Sequence, residues 1–251
     1  MGKHFNKKRK KIDILTFFIF MFIIGIIISV IYISKWFVDN KKNQELEKEI
    51  STAVTIVDNE NGEDVRYNID FEKLKNINND VVGWLKVKGT NIEYAVVKSN
   101  NNSYYLNHNF EKEYNSAGWI FTDYNNKLDG TDKNIIIYGH NRKDNSMFGS
   151  LKNILTEEWY SNNDNLTIDF ITENEQHKYQ MFSVYKIENE DYYIDTEFKD
   201  NEFENFIKTL KNRSIKDFNV EISSEDSILT LSTCANNNKY RVVLHAKKIL
   251  E

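Results

Sequence analysis

A single cysteine, Cys234, stands among the 251 residues. It closes the apolar stretch Ile228-Leu-Thr-Leu-Ser-Thr-Cys234, and Arg241 follows in Tyr240-Arg-Val-Val-Leu-His245. The pattern reads as two strands joined by the polar loop Ala235-Asn-Asn-Asn-Lys239. A thiol at a strand end, beside a loop and near a guanidinium, has the support, access and positive neighbour that a nucleophile needs. Position alone also suits a buried small hydrophobe, the usual fate of a free cysteine. A proton carrier is available in Tyr138-Gly-His-Asn141, where a strand runs into a loop and the glycine lets the backbone turn. Of the five histidines, His4 lies in a basic tail, His108 and His177 in polar contexts and His245 inside the last strand. That leaves His140 as the histidine expected at a rim. A metal site is not expected, because no two histidines stand at ligand spacing and only one thiol is present. No cofactor is implied.

The elements that must hold these residues are mostly strands. Trp84-Leu-Lys-Val-Lys-Gly-Thr-Asn-Ile-Glu-Tyr-Ala-Val-Val97 alternates on both sides of Gly89-Thr-Asn91, a hairpin signature. Gly118–Thr122, Asn134–Tyr138, Leu166–Phe170, Tyr179–Glu188, Ile228–Ser232 and Tyr240–Ile249 are further strands. Met147, Leu151, Ile154 and Leu155 share one helical face, and Phe203, Phe206, Ile207 and Leu210 form the apolar stripe of a later helix. About eight strands, two or three helices and no βαβ alternation predict one mainly β domain, an antiparallel barrel.

Charge divides the chain. Residues 1–35 carry seven Lys/Arg and one acid, and residues 36–251 have a net charge of −11. The acidic body argues against nucleic acid as partner, since phosphate binding needs a basic surface. Lys7-Lys-Arg-Lys-Lys11 precedes an apolar run from Ile14 to Ile33, broken only by Thr16, Gly25, Ser29 and Tyr32. Twenty residues at about 1.5 Å rise cross the roughly 30 Å hydrocarbon core of a bilayer. Ser34-Lys-Trp-Phe37 is a poor cleavage site, so an uncleaved anchor is expected with Trp36 at the interface. The basic cluster predicts a cytoplasmic N-terminus. The expected plan is a cytoplasmic tail (1–13), an anchor in the lipid bilayer (14–34), a stalk and linker with a helix (35–69) and an extracytoplasmic catalytic domain (70–251). Leu46 and Ile50, at i,i+4 spacing, are placed to dock the stalk helix on that domain, while residues 51–66 read as a loose linker.

Thr230-Leu-Ser-Thr-Cys234 with Arg241 downstream and Tyr138-Gly-His140 upstream resembles the sortases, cysteine transpeptidases of Gram-positive cell surfaces. The serine in Thr-Leu-Ser-Thr-Cys points to class B. So do Asn79-Asp-Val-Val-Gly-Trp-Leu85, Gly89-Thr-Asn-Ile-Glu-Tyr94, Tyr104-Tyr-Leu106, Gly118-Trp-Ile-Phe121 and Asn145-Ser-Met-Phe148. The resemblance runs from about residue 70 to the C-terminus, and each motif gains its meaning from the order of the others. Two departures stand out. The loop between Cys234 and Arg241 is short for class B, and Ala95 stands where similar sequences tend to have proline. Arg142 and Arg213 are alternatives to Arg241, but neither opens a strand beside the cysteine.

The resemblance implies an eight-stranded sortase-like β-barrel with a few flanking helices. It implies a Cys234 nucleophile, a His140 acid and base, and an Arg241 that faces the carbonyl oxygen. The implied partners are secreted proteins bearing a C-terminal sorting signal, of a type similar to Asn-Pro-x-Thr-x. The implied acceptors are amines of a peptidoglycan precursor or a pilin. Ser232, on the same strand face as Cys234, either binds substrate backbone or fills space, and Tyr138 stands in the same relation to His140. Tyr192, Tyr193 and Ile194 fall in the connection that walls the peptide groove in sortases, with ordinary loop packing as the alternative. Asn107 is a further groove candidate. Two other readings stay open: an anchored cysteine peptidase of another lineage, and a non-catalytic anchored β-domain that binds a surface partner.

Overall fold

A computed structural model describes residues 13–57, 66–188, 190–199, 201–235 and 239–249, with backbone alone at 234–235. The basic tail with His4, part of the linker (58–65) and Asn236–Asn238 of the polar loop lie outside the described residues. Two compact units are present, Met1–Lys42 and Asn43–Glu251.

The first helix, α1 (Ile14–Ser51), contains the apolar run, whose large side chains are exposed. It is long and apolar enough to cross a membrane. Within the second unit its last turns bury Asn43, Leu46 and Ile50. The i,i+4 pair therefore docks as expected, each side chain contributing about 1.5–3 kcal/mol by leaving water. The stretch read as a loose linker includes strand β1 (Val54–Val57), which pairs antiparallel with β2 (Arg66–Ile69). Three of its four residues are exposed, so the stretch lacks the alternating apolar face that reveals a strand. Helix α2 (Phe71–Ile77) follows, capped by the Asp70 carboxylate, which accepts from Lys73 N–H at 2.8 Å.

Eight strands close a barrel. They are β3 (Val81–Val87), β4 (Glu93–Val97), β5 (Phe121–Thr122), β6 (Asn134–Gly139), β7 (Thr167–Ile171), β8 (Gln176–Glu188), β9 (Ile228–Ala235) and β10 (Tyr240–Ile249). Their order around the barrel is β10-β8-β7-β3-β4-β5-β6-β9. The hairpin expected between Trp84 and Val97 forms, and Gly89 turns it at φ +67, where a Cβ would collide with the Asn165 side chain.

The barrel is mixed, not antiparallel throughout: β4 pairs parallel with β5, and β6 parallel with β9. Parallel neighbours need a long crossover. The intervening segments supply it, whereas periodicity reports only whether a strand exists. The expected helix after residue 146 is a 3-10 helix (Gly149–Leu155) followed by the short α3 (Glu157–Tyr160). Met147, Leu151 and Ile154 are nevertheless buried.

Alternation sorts β9 and β10 between two apolar clusters. Leu229, Leu231, Val242 and Leu244 belong to the main core with Ile137, Phe170 and Val184. Ile228 and Val243 face the other way, into a cluster with Phe182, Tyr185, Tyr193 and the stripe Phe203, Phe206, Ile207 and Leu210 of α4 (Glu202–Arg213). Acidic residues in the first turn of α4 and basic ones in its last complement the helix dipole. The Ser183 hydroxyl, donating to Leu210 C=O at 2.7 Å, ties that helix to β8.

Candidate active site

Strand register brings the three candidate residues to one end of adjacent strands. Arg241 is the cross-strand partner of Cys234 in the β9/β10 pair. Directly opposed residues of an antiparallel pair have Cα atoms about 4.5–5.5 Å apart. In the parallel β6/β9 pair Tyr138 lies opposite Ser232 and Gly139 opposite Thr233. His140 and Cys234 are the next residues after this last pair, so both follow the same end of the sheet. The parallel pairing is what makes this possible, because both strands then end on the same rim.

His140 is half-buried. Its Nε2–H donates to the Leu106 carbonyl at 2.6 Å, which fixes the tautomer and leaves Nδ1 for proton traffic. The main chain of His140 is held as well: Phe148 N–H donates to its carbonyl at 3.0 Å. Two glycines shape this corner. Gly118 has φ +61, and a Cβ there would meet Leu106 O at 2.8 Å and His140 Cδ2 at 2.9 Å. Gly139 does not turn the chain as expected: it stays in β6, outside the positive-φ glycines. It is glycine because a Cβ would strike Ile120 Cδ1 at 2.5 Å and the Phe148 ring at 2.7 Å.

Arg241 is half-buried, and its charge reaches the Tyr138 hydroxyl. That hydroxyl donates to Asp123 Oδ2 at 2.8 Å. Burial holds it well above the usual phenol range, Asp123 raises it further, and Arg241 opposes the rise. Sequence reasoning missed Asp123. This buried carboxylate also accepts from Asn102 Nδ2 at 2.7 Å and from Asn125 N–H at 2.9 Å. The Asp-Tyr-Asn-Asn turn after β5 was the available signal, since aspartate in such a turn bonds the backbone two residues on.

The remaining candidates fall into two groups. Ser232 and Tyr193 are both buried, and their hydroxyls are 2.9 Å apart. The Tyr138 hydroxyl also feels Tyr193, so the three form one group beneath the ends of β6 and β9. Tyr192 stacks under Arg213, whose guanidinium is 4.8 Å from the ring centroid, and Ile194 packs on the outer apolar cluster. Asn107 sits beyond His140: it caps the 3-10 turn Tyr104–Leu106, and its carbonyl accepts from Asn115 N–H at 2.9 Å. The alternative arginines are committed elsewhere, Arg142 to Asp144 and Ser146, Arg213 to Glu190 and Tyr192. His108 stacks on Tyr104, His177 pairs with Glu175 and His245 is fully buried. Among the described residues no cluster of metal ligands occurs.

Beneath Ser232 lies a buried polar chain. The Tyr185 hydroxyl meets His245 Nε2 at 2.9 Å, and His245 Nδ1 meets the Thr230 hydroxyl at 2.8 Å. Thr230 donates in turn to Asn134 Oδ1 at 2.7 Å. Asn134 Nδ2 donates to Asp195 C=O at 2.9 Å, which holds the connection that carries Tyr193. Burial pushes the His245 pKa down to about 3, so the ring is neutral, as a donor–acceptor link in such a chain must be.

A family model for the sortase domain matches residues 85–249. Sortase B of Listeria monocytogenes is 36% identical over 236 residues, covering 89% of this chain and 94% of that protein. Sortase B of Staphylococcus aureus is 33% identical over 239 residues, covering 94% and 96%. Among solved structures, sortase B from Bacillus anthracis in complex with AAEK1 superposes with a TM-score of 0.74 at 32% identity, over 86% of this chain and all of that one. The Staphylococcus aureus sortase B–substrate complex gives 0.67 at 36% identity, over 72% and 84%.

Proposed function

The chain belongs to the sortase family, of the class B type, and from that premise we propose that Cys234, His140 and Arg241 perform its transpeptidation. The Cys234 thiolate attacks the carbonyl carbon of a scissile threonine peptide bond in a sorting signal. As the C=O electrons move to oxygen, Arg241 stabilises the oxyanion with donors whose planar fork a lysine cannot reproduce. His140 protonates the leaving amine, the C–N bond breaks and a thioacyl enzyme remains. An acceptor amine then attacks the thioester, His140 takes its proton, and Cys234 leaves as thiolate while the new amide forms. The acceptor is an amine of peptidoglycan precursor or pilin. The substrate is a secreted protein whose signal is of the Asn-Pro-x-Thr-x kind, as the class B resemblance implies. Ser232, Tyr138, Tyr192, Tyr193, Ile194 and Asn107 line the peptide's path. Residues 14–34 hold the chain in the membrane with the N-terminus cytoplasmic and the barrel outside.

The observation that carries this reading is the register: Arg241 opposite Cys234 on β10, with His140 next to it at the end of the parallel strand β6. The test is a peptide cleavage assay with and without an added amine, read by mass spectrometry. Cys234→Ala abolishes product while the circular dichroism spectrum is unchanged, and Arg241→Lys lowers turnover by at least about tenfold, about 1.4 kcal/mol of transition-state binding. Cleavage retained by Cys234→Ala sinks the assignment.

A further inference from the structure

Glu47, in the last turns of α1, is joined to the His140 corner by hydrogen bonds. Its carboxylate bonds the Tyr94 hydroxyl, and that hydroxyl accepts from Met147 N–H at 2.9 Å. Met147 holds φ +51, a conformation that is costly for a side chain of its size, and bridges to Asn141 across the turn. The next residue, Phe148, supplies the N–H that fixes the His140 carbonyl. The turn between has no slack. Ser146 donates to Asp144, Arg142 reaches both, and a Cβ at Gly149 would collide with the Arg142 carbonyl. Strain at Met147 persists only if something holds that N–H in place, and Tyr94 is the group that does.

We propose that Glu47 is a positioning residue for His140, acting through Tyr94 and Met147, so that the membrane-proximal helix forms part of the catalytic assembly. The inference rests on His140 being the acid and base proposed above. An ionised Glu47 polarises the Tyr94 hydroxyl through a charge-assisted bond, roughly twice as strong as a neutral one, and a polarised hydroxyl is the better acceptor for Met147 N–H. Protonation weakens that relay. The second oxygen, Oε1, is buried without a hydrogen bond, and Glu47 also lines a recess of about 310 Å³ with Trp84, Lys48, Asn91 and Glu93. The groups facing Glu47 are Tyr94 from β4, and Asp144 and Arg142 from the turn. Glu93, at the recess edge, is paired with Lys86. Burial first, then Asp144, pushes the Glu47 pKa up to about 7, with Arg142 and Tyr94 opposing. The switch in the relay therefore falls near neutrality.

The experiment uses the full chain in detergent micelles and follows sorting-peptide turnover from pH 5.5 to 8.5. Glu47→Gln is expected to lower kcat several-fold at pH 8 and to leave it near wild type at pH 6, with KM unchanged. Tyr94→Phe, which removes the acceptor for Met147 N–H at every pH, is expected to lower kcat at both pH values, and the double variant to be no worse than Tyr94→Phe alone, as coupled residues are non-additive. A Glu47→Gln profile that superimposes on wild type, or lies below it by a constant factor, overturns the proposal. Failure of the enzymatic assignment is separable, because the NMR signals of the Met147 and Phe148 amides need no substrate. In wild type they shift through pH 7, and in Glu47→Gln they do not. Identical shifts in the two proteins also overturn it.

Discussion

The two faces of the β6–β9–β10 sheet are built on opposite principles. Toward the barrel axis β9 and β10 present Leu229, Leu231, Val242 and Leu244, packed in the main apolar core, with buried Thr233 at the end of the row. Away from it, on the side of Arg241, the same strands present Thr230, Ser232 and His245, buried just as deeply: Thr230 bonds His245 and Asn134, His245 bonds Tyr185, and Ser232 bonds Tyr193. The inner face is held by area removed from water, which is non-directional. The outer face adds directional bonds to the apolar cluster of Ile228, Val243 and α4, and removing one partner of such a buried bond costs more than the bond itself contributes. A site that must hold side chains to fractions of an ångström benefits from the second kind of support. The apolar face supplies the stability on which it stands.

The comparison can be broken most severely on the apolar side. Leu231→Ala should cost about 3 kcal/mol, through lost transfer energy and the cavity left behind, read as a lower midpoint in urea denaturation. Turnover per folded molecule should stay near wild type. A large activity loss in the folded fraction would mean that the two faces are not separable.

On the polar side the leading effect is pH dependence. The His245 pKa is depressed to about 3 in the fold, against about 6.5 in the unfolded chain. The neutral ring's stabilisation is therefore fully present above pH 6.5 and is lost as pH falls from 6.5 toward 3. Each unit is worth about 1.4 kcal/mol, so the slope amounts to a few kcal/mol over that window. His245→Gln removes this component from the pH dependence of unfolding free energy measured by denaturant titration. An unchanged slope would show that the ring takes up its proton without cost.

The smallest effect is the most diagnostic. Ser232→Ala removes the hydroxyl that meets the Tyr193 hydroxyl at 2.9 Å and should cost about 1 kcal/mol, and with Tyr193→Phe added the loss should be smaller than the sum of the two single losses, as bonded residues are non-additive. Thermal unfolding of the three variants checks the cycle. Peptide KM measured on Ser232→Ala and on Tyr193→Phe separately then reports which of the two touches substrate.

Much of this was legible in the residues. The apolar run of α1, the hairpin at Gly89, the stripe of α4 and the terminal strand pair follow from patterns of a few residues. Those patterns are set by backbone geometry and need no partner. The linker strand Val54–Val57 was not legible, because its exposed residues carry no alternating apolar face. Nor was the role of Gly139, which answers to the Ile120 and Phe148 side chains packed on it and not to its own dihedral angles.

By itself the sequence determined which residue types are available for chemistry: one thiol, a histidine after Tyr-Gly, an arginine opening the last strand, and an apolar segment of membrane length. It also determined the alternation that assigns β9 and β10 to two faces. Only the tertiary structure decided which strands are neighbours. The parallel pairing of β6 with β9 sets Gly139 opposite Thr233, so that His140 and Cys234 follow the same end of the sheet. Closure of the barrel brings Asp123 to Tyr138, Tyr193 to Ser232, and Glu47 through Tyr94 to Met147. The physical reason is range. Periodicity is written residue by residue, whereas the pairing of distant strands is chosen by the whole barrel at once, as the arrangement that buries both apolar faces and leaves few polar groups without a partner.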